Sequence, residues 1–353
     1  MSSKKFLKIV LGLSFFVAIL IGGVNYIVDS YGLNSNKNKY INNLTTINNP
    51  SVTNLKIKFK ADYYLIGTSR VMRIDPNLIE KYLNHKKVYN INISGATFKE
   101  NSMLAFKLKE QNLNFIYGFD AFSLNKNRLE QKDLINRYES FKDAINEDIN
   151  VNTYFSMDYF LLNIKDILKK ILKIDLYKYF ILENNKVFKV TIDGVEEHLD
   201  LSNKGNKKSY TNFEIVKDDE ILKLAQNTNK NDIFIIYPKH FYHYILFQKY
   251  QDIEEKYFSA IKLLVKNTNA QVWSFYGINE ITLDEYNFDE NGWHFKPKIS
   301  DLIFARIFDD KTIEVPEDFG VLVTKDNIDE HLENLRKQIE EYDLLKLGID
   351  SNK

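Results

Sequence analysis

Five short apolar runs, separated in several places by helical patterns, limit the folds that this chain can adopt. Each run is rich in strand-forming residues and short enough for a buried strand. The runs are Tyr63–Ile66, Val88–Ile91, Phe115–Tyr117, Ile233–Tyr237 and Gln271–Phe275. Helical spacing occurs at Pro76–Leu83, Lys99–Gln111 and Ile253–Lys266. Strands that alternate with helices favour a mostly parallel sheet covered on both faces, so we expect a three-layer α/β domain with five strands.

The alternation breaks over residues 125–231 and changes again after the fifth run. We interpret residues 125–231 as an insertion that packs over one edge of the sheet and covers a functional site. Its predicted elements are helices at Gln131–Asn146 and Asp158–Leu172 and a hairpin of Val187–Ile192 and Val195–Leu199 joined by Asp193-Gly194. Near the C-terminus, Gly320–Val323 is strand-like, and helical spacing predicts that residues 329–345 form a packing helix.

The N-terminus carries a long uncharged run. Lys4, Lys5 and Lys8 precede the 20 residues Ile9–Val28, which as a helix match the roughly 30 Å hydrocarbon layer of a bilayer. We therefore expect an anchor over residues 1–30, an Asn-rich tether over 31–60 and a globular domain over 61–353. Lysines before the run predict a cytoplasmic N-terminus. A cleaved signal peptide is the alternative, although its apolar region is usually shorter.

Composition excludes several classes of function. The chain has 353 residues, with 48 basic and 48 acidic side chains, and this balance gives no basic footprint for nucleic acid. It has no cysteine, which rules out disulfides, thiolate metal sites and a cysteine nucleophile.

Ser69 follows the first run, in Gly67-Thr68-Ser69. A serine at the carboxyl end of a parallel strand lies where open α/β sheets place reacting groups. Serine catalysis also needs a base and a group that orients the base. His294 follows the fifth run and suits the base, with Asp289 or Asn291 near enough in sequence to orient it.

In this order the blocks resemble the SGNH/GDSL hydrolase superfamily, and more closely its membrane-anchored bacterial envelope branch, which includes polysaccharide O-acetyltransferase-like proteins. Gly67-Thr68-Ser69 is similar to the family's Gly-Asp-Ser block, and Tyr89–Gly95 is similar to its second block. Gly118-Phe119-Asp120 stands where the family has Gly-x-Asn. The family's Asp-x-x-His would put Asn291 at the acidic position, with Asp289 two residues further upstream.

The resemblance implies a flavodoxin-like sheet, Ser69 as nucleophile, His294 as base, and Gly95 with Asp120 at the oxyanion. An ionised carboxylate accepts hydrogen bonds and does not donate them, so Asp120 departs from the family at this position. Arg70 and His240 are candidates for substrate binding, although a solvated surface arginine and a packed histidine are the commoner outcomes. The resemblance implies no metal and no cofactor.

The predicted function is that of an esterase or O-acyltransferase on cell-envelope carbohydrate. The enzyme would sit in the inner (cytoplasmic) membrane with its domain on the periplasmic side, and it would take an acyl donor, with a membrane-bound acyl-transfer protein as a possible partner. One alternative is a catalytically degenerate module that binds glycan or an assembly partner. Another is a structural envelope protein.

Overall fold

The computed structural model describes residues 2–28, 50–58, 61–147, 154–172, 189–199, 213–249 and 252–342. Its centre is a six-stranded sheet with the order β2-β1-β3-β4-β5-β6. The first five strands are parallel to their neighbours, and β6 pairs with β5 in the antiparallel direction. The strands are β1 (Tyr63–Ile66), β2 (Val88–Asn90), β3 (Asn114–Gly118), β4 (Ile233–Ile236), β5 (Gln271–Ser274) and β6 (Val321–Val323).

Helices precede, separate and follow the strands. In the first part of the chain they are α1 (Ser3–Val28), α2 (Pro50–Lys58), α3 (Pro76–Tyr82), α4 (Phe98–Glu110), α5 (Ala121–Leu124), α6 (Lys132–Asn146) and α7 (Met157–Ile171). In the second part they are α8 (Ile192–Leu199), α9 (Asp218–Gln226), α10 (Tyr242–Lys249), α11 (Ile253–Asn267), α12 (Glu280–Leu283), α13 (Pro297–Ile307) and α14 (Ile328–Glu341).

The central strands are buried on both faces. All four residues of β1 and all four of β4 are buried, although successive side chains of a strand point to opposite sides. Both faces of the sheet are therefore covered, as expected for parallel strands. The prediction of a mostly parallel α/β sheet is confirmed, with six strands instead of five because the strand-like segment near Gly320 joins the β5 edge.

Two local predictions are corrected. The second arm of the predicted hairpin is helical, since Ile192–Leu199 forms α8. Gly194 has no positive φ, which an Asp-Gly hairpin turn requires, and its N–H donates to Thr191 Oγ1 (3.1 Å) at the start of the helix. In the predicted tether, Pro50–Lys58 is helical, while residues 31–49 and 59–60 lie outside the described part. Residues 187–188 of the first hairpin arm also lie outside it.

The terminal helices agree with the patterns over the described residues, which leave out residues 29–30 of the predicted anchor and residues 343–345 of the predicted C-terminal helix. α1 has 26 residues and a mean hydropathy of 2.4 over its most apolar window, so it is long and apolar enough to cross a membrane. Its length of about 39 Å exceeds the hydrocarbon thickness. At the other end, Leu332, Leu335 and Ile339 of α14 are buried against the domain.

Candidate active site

Ser69 lies just beyond the carboxyl end of β1 and begins a single 3-10 turn, Ser69–Arg73. Gly67 makes the sharp exit from the strand possible. Its φ is +151°, and a Cβ there would lie 2.5 Å from Val71 Cγ2. The first N–H groups of a helical turn have no partner inside it, so the turn directs both a hydroxyl and backbone donors toward this edge.

His294 is carried by a tight loop after β5. Phe288 and Phe295 form an antiparallel bridge, and within it the Asp289 N–H donates to the His294 carbonyl (3.0 Å). The His294 N–H donates in return to Asp289 Oδ1 (3.2 Å). The loop closes at Gly292, whose φ is +67°. The loop therefore brings the Asp289 carboxylate and the His294 imidazole, five residues apart, within hydrogen-bond distance.

The loop and the turn meet in a continuous chain of hydrogen bonds. Ser69 Oγ lies 2.7 Å from His294 Nε2, and His294 Nδ1 lies 2.7 Å from Asp289 Oδ2. A carboxylate only accepts, so Nδ1 carries a proton, and in the neutral ring Nε2 is left to accept from the serine hydroxyl. The His294 and Asp289 side chains are 18% and 20% exposed, which leaves the site open to solvent.

The electrostatics of this chain favour an ionised Asp289. Partial burial by itself raises the pKa of the carboxyl group, but the hydrogen bonds and charge of His294 outweigh burial and hold the pKa below its ordinary value. An ionised carboxylate at this position stabilises the imidazolium that forms when His294 takes a proton.

Asn291, the other candidate for orienting His294, has different contacts. Its side-chain oxygen accepts from the Trp293 N–H (3.0 Å), and its carbonyl accepts from His243 Nε2 (2.8 Å). It shapes the loop, whereas Asp289 contacts the imidazole.

Asp120 is paired with Thr68. Oδ2 of Asp120 accepts from the Thr68 hydroxyl (2.8 Å), and Oδ1 accepts from the Ser123 N–H (3.0 Å) at the start of α5. Both oxygens already have donors, so Asp120 caps a helix and ties the end of β3 to the Ser69 turn. Its predicted place at the oxyanion stays a prediction.

Gly95 is held by two arginines that the sequence did not single out. Its carbonyl accepts from Arg128 Nη2 (2.6 Å) and Arg137 Nη2 (3.0 Å), and Arg137 Nη1 also donates to the Ser94 carbonyl (3.2 Å). The Gly95 N–H belongs to the same planar trans peptide as the Ser94 carbonyl and points the opposite way, away from Arg137. Arg137 comes from α6, so the insertion fixes the peptide that the resemblance assigns to the oxyanion.

Arg70 and His240 are both buried, and their predicted roles in substrate binding stay predictions. Arg70 is 1% exposed, and its guanidinium lies over the Trp293 ring (4.8 Å to the centroid) and the Tyr237 ring (5.3 Å). It also donates to the Pro238 carbonyl. Arg70 thus joins the Ser69 turn to the loop that carries His294. No sequence signal indicated this, because the contacts come from separate loops.

His240 is 2% exposed and stacks among aromatic rings, including Phe241 at 4.8 Å between centroids. Burial lowers its pKa to about 4, so its imidazole stays neutral near pH 7. Its backbone N–H donates to the Gly292 carbonyl (2.9 Å), so His240 supports the loop that carries His294.

No protein-family model matches the chain, and no curated protein matches it. The geometry around Ser69 is therefore the basis for a functional assignment.

Proposed function

We propose that this protein is a membrane-anchored serine esterase or O-acyltransferase that acts on cell-envelope carbohydrate. The observation that carries the proposal is the hydrogen-bonded chain from Ser69 through His294 to Asp289. Ser69 comes from the turn after β1, and Asp289 and His294 come from the Phe288–Phe295 loop far along the chain. The three groups stand in the order that nucleophilic acyl transfer needs.

In the proposed reaction, His294 Nε2 takes the hydroxyl proton while Ser69 Oγ attacks the carbonyl carbon of an ester. The N–H groups of Gly95 and Ser69 are the proposed donors to the tetrahedral oxyanion. The leaving alkoxide takes the proton from His294 as its bond to carbon breaks, and an acyl-serine remains. A second hydroxyl, from water or from a sugar, then loses its proton to His294 and takes the acyl group, which restores Ser69.

The strand order supports an SGNH-like, flavodoxin-like fold as the finer assignment. The order 2-1-3-4-5 over the parallel strands is the flavodoxin-like order, and ligands of such sheets bind at the carboxyl edge. The Thr68–Asp120 pair also fits this assignment. The first block has Thr68 where the family has an acidic residue, and the third block has the acidic Asp120. The hydrogen bond between them joins the two blocks.

The cellular setting is proposed from α1 and its flanks. A helix long enough to span a bilayer, with Lys4, Lys5 and Lys8 in its first two turns and an uncharged run after them, supports a single-pass protein in the cytoplasmic membrane with its domain exported. There the domain would meet envelope glycans and either a soluble acyl donor or a membrane-bound acyl-transfer partner.

The rival proposal, a degenerate module that binds glycan, draws on Asp120, a carboxylate where the family has an amide donor. The deciding experiment uses the full chain in detergent with an aryl acetate as acyl donor. Wild type should release the phenol and form an acetylated protein detectable by intact mass. Ser69→Ala should do neither, while Ser259→Ala, on the exposed side of α11, should behave as wild type. Equal rates for wild type and Ser69→Ala would overturn the enzymatic proposal, and glycan binding without turnover would favour the module.

A further inference from the structure

α7 packs against the C-terminal half of α1 through the segment that leads into it. Gly22 of α1 makes this contact close, because a Cβ there would lie 2.8 Å from Cε1 of Phe155. Gly22 is six residues before the end of α1 at Val28, which corresponds to roughly 9 Å along the helix. The Phe155 ring therefore packs against the side of α1 before the helix ends, alongside the segment that is long enough to span a bilayer.

Two buried amides of this contact are hydrogen-bonded within it. Asn25, which is fully buried, donates through Nδ2 to the carbonyls of Tyr154 (2.7 Å) and Ser156 (3.1 Å). Its Oδ1 accepts from Asn163 Nδ2 (2.9 Å), and Asn163 is also fully buried. In an apolar solvent, buried amides must bond to each other across the two helices, because hydrocarbon offers them no other partner.

The outer side of the same segment is apolar and exposed. Its exposed fractions run from 50% to 68%: Phe155, Met157, Leu161, Leu168, Ile171 and Leu172. At 100° per residue the four side chains within α7, from Met157 to Ile171, fall within one arc of about 80°. Tyr159 and Asn163, on the other side of the helix, are buried. α7 thus shows one face to protein and one large apolar face to its surroundings.

This face continues onto α1 through Phe155, two residues before α7. The outward side chains of α1 are also apolar and exposed, and a groove of about 350 Å³ lies between α1 and Phe155, lined by Leu13, Ser14, Val17, Ala18, Ile21 and Phe155. A soluble partner that covered α7 would have to share this surface with the lipid around α1. The continuity of the two surfaces points to one occupant for both.

We infer that α7 lies in the surface of the bilayer beside α1, with the Phe155–Leu172 face in contact with lipid acyl chains. This inference rests on the proposed insertion of α1 in a membrane. An amphipathic helix of this kind buries its apolar side at the boundary between headgroups and acyl chains. Lys165 borders the apolar arc, where a long cationic side chain can reach the headgroups. The protein is then held at the membrane by two elements instead of one.

The absence of cysteine in the sequence makes the test direct. Single-cysteine variants of the full chain carry a nitroxide in phospholipid vesicles, and collisions with oxygen, which enriches in lipid, are compared with collisions with a water-soluble nickel complex. Leu161→Cys and Leu168→Cys probe the α7 face. Leu13→Cys on α1 is the lipid reference, and Glu139→Cys, on the exposed side of α6, is the water reference.

The inference predicts that labels at positions 161 and 168 exceed position 139 several-fold in oxygen accessibility and lie below position 13, which is near the middle of α1 and therefore deeper in the bilayer. Two results would overturn it: accessibility at 161 and 168 equal to that at 139, or strong spin–spin coupling between chains, which would show that a second copy covers the face. A water-accessible label at position 13 would instead contradict the insertion of α1 in the membrane. Loss of the Ser69-dependent reaction would leave these readouts unchanged, so the two proposals fail separately.

Discussion

At the carboxyl edge of the sheet, polar side chains face outward and aromatic rings lie behind them, whereas the α1–α7 pair holds its amides inside and its apolar side chains outside. Ser69, His294 and Asp289 are bonded in a chain that remains partly open to solvent. Asn25 and Asn163 are bonded out of reach of solvent. The carboxyl edge therefore suits water and the α1–α7 pair suits an apolar solvent, so a substitution in one region should leave the other intact.

The largest expected effect comes from Asp289→Asn. The amide would favour the wrong imidazole tautomer and would no longer stabilise the imidazolium, so kcat should fall by roughly 10²- to 10⁴-fold with little change in KM. Steady-state hydrolysis of the aryl ester measures this. Asn291→Asp keeps the acceptor for the Trp293 N–H and should stay within a few-fold of wild type. A larger loss in Asn291→Asp than in Asp289→Asn would contradict the assigned roles.

The next effect is a pH dependence of stability in the sheet domain. His240 has a folded pKa of about 4, below its ordinary value of 6.5, so the unfolded chain binds more protons between these values. The stabilisation from the neutral imidazole is complete above pH 6.5 and is lost as pH falls toward 4, by about 3 kcal/mol at most.

Denaturant unfolding of the full chain between pH 4 and 7.5 measures this dependence. His240→Gln should remove its share of the slope and leave the share of His331, whose pKa is also lowered to about 4 by burial, while His85→Asn at an exposed position should leave the slope unchanged. Since His240 lies away from α1 and α7, oxygen accessibility at position 161 should not change with pH. A curve of unchanged slope in His240→Gln would argue against a buried neutral imidazole.

A smaller effect on turnover is expected from Arg137→Met. Release of the Ser94–Gly95 peptide should lower kcat by roughly 10- to 100-fold. The same change leaves the buried Glu100, which Arg137 pairs at 2.6 Å, without its cation, and should cost about 3 kcal/mol of stability. Adding Glu100→Gln should restore part of the stability but not the rate. Full recovery of the rate in the double variant would assign Arg137 a purely structural role.

The smallest effect should come from Asn25→Leu. Loss of the bonds to Tyr154, Ser156 and Asn163 should weaken the α1–α7 contact by about 1 kcal/mol in a bilayer. The distribution of distances between spin labels at positions 16 and 161 should become broader, and Ile27→Leu on the exposed side of α1 should leave the distribution narrow. Ester hydrolysis in detergent should be unchanged, which separates the two regions once more.

The sequence was informative where function depends on position along a strand. Ser69 and His294 each follow a recognisable strand, and the rule that parallel strands share a carboxyl edge was enough to expect them together. The choice between Asp289 and Asn291 depended on how the loop from Phe288 to Phe295 closes, which spacing alone does not determine.

Other features arise only from tertiary contacts. Arg70 was expected at the surface, yet it is buried because three aromatic rings from two separate loops surround its guanidinium. The contact between Arg137 and Gly95 joins positions 42 residues apart. At Asp193-Gly194, a capping contact from Thr191 is formed in place of the expected turn. In each case the local pattern was compatible with two outcomes, and a distant or neighbouring partner selected one.

The connection between α6 and α7 has a kinetic consequence. Ten residues separate Asn146 from Met157, so the helix that carries Arg137 stays within about 40 Å of α7 even if that connection is fully extended. With α7 at the bilayer surface, the α/β domain would diffuse in a thin layer above the membrane instead of a volume. Under the proposed function, acyl donors or glycans held in the same layer would then be present at a high effective concentration, so a weak intrinsic affinity for them would be sufficient.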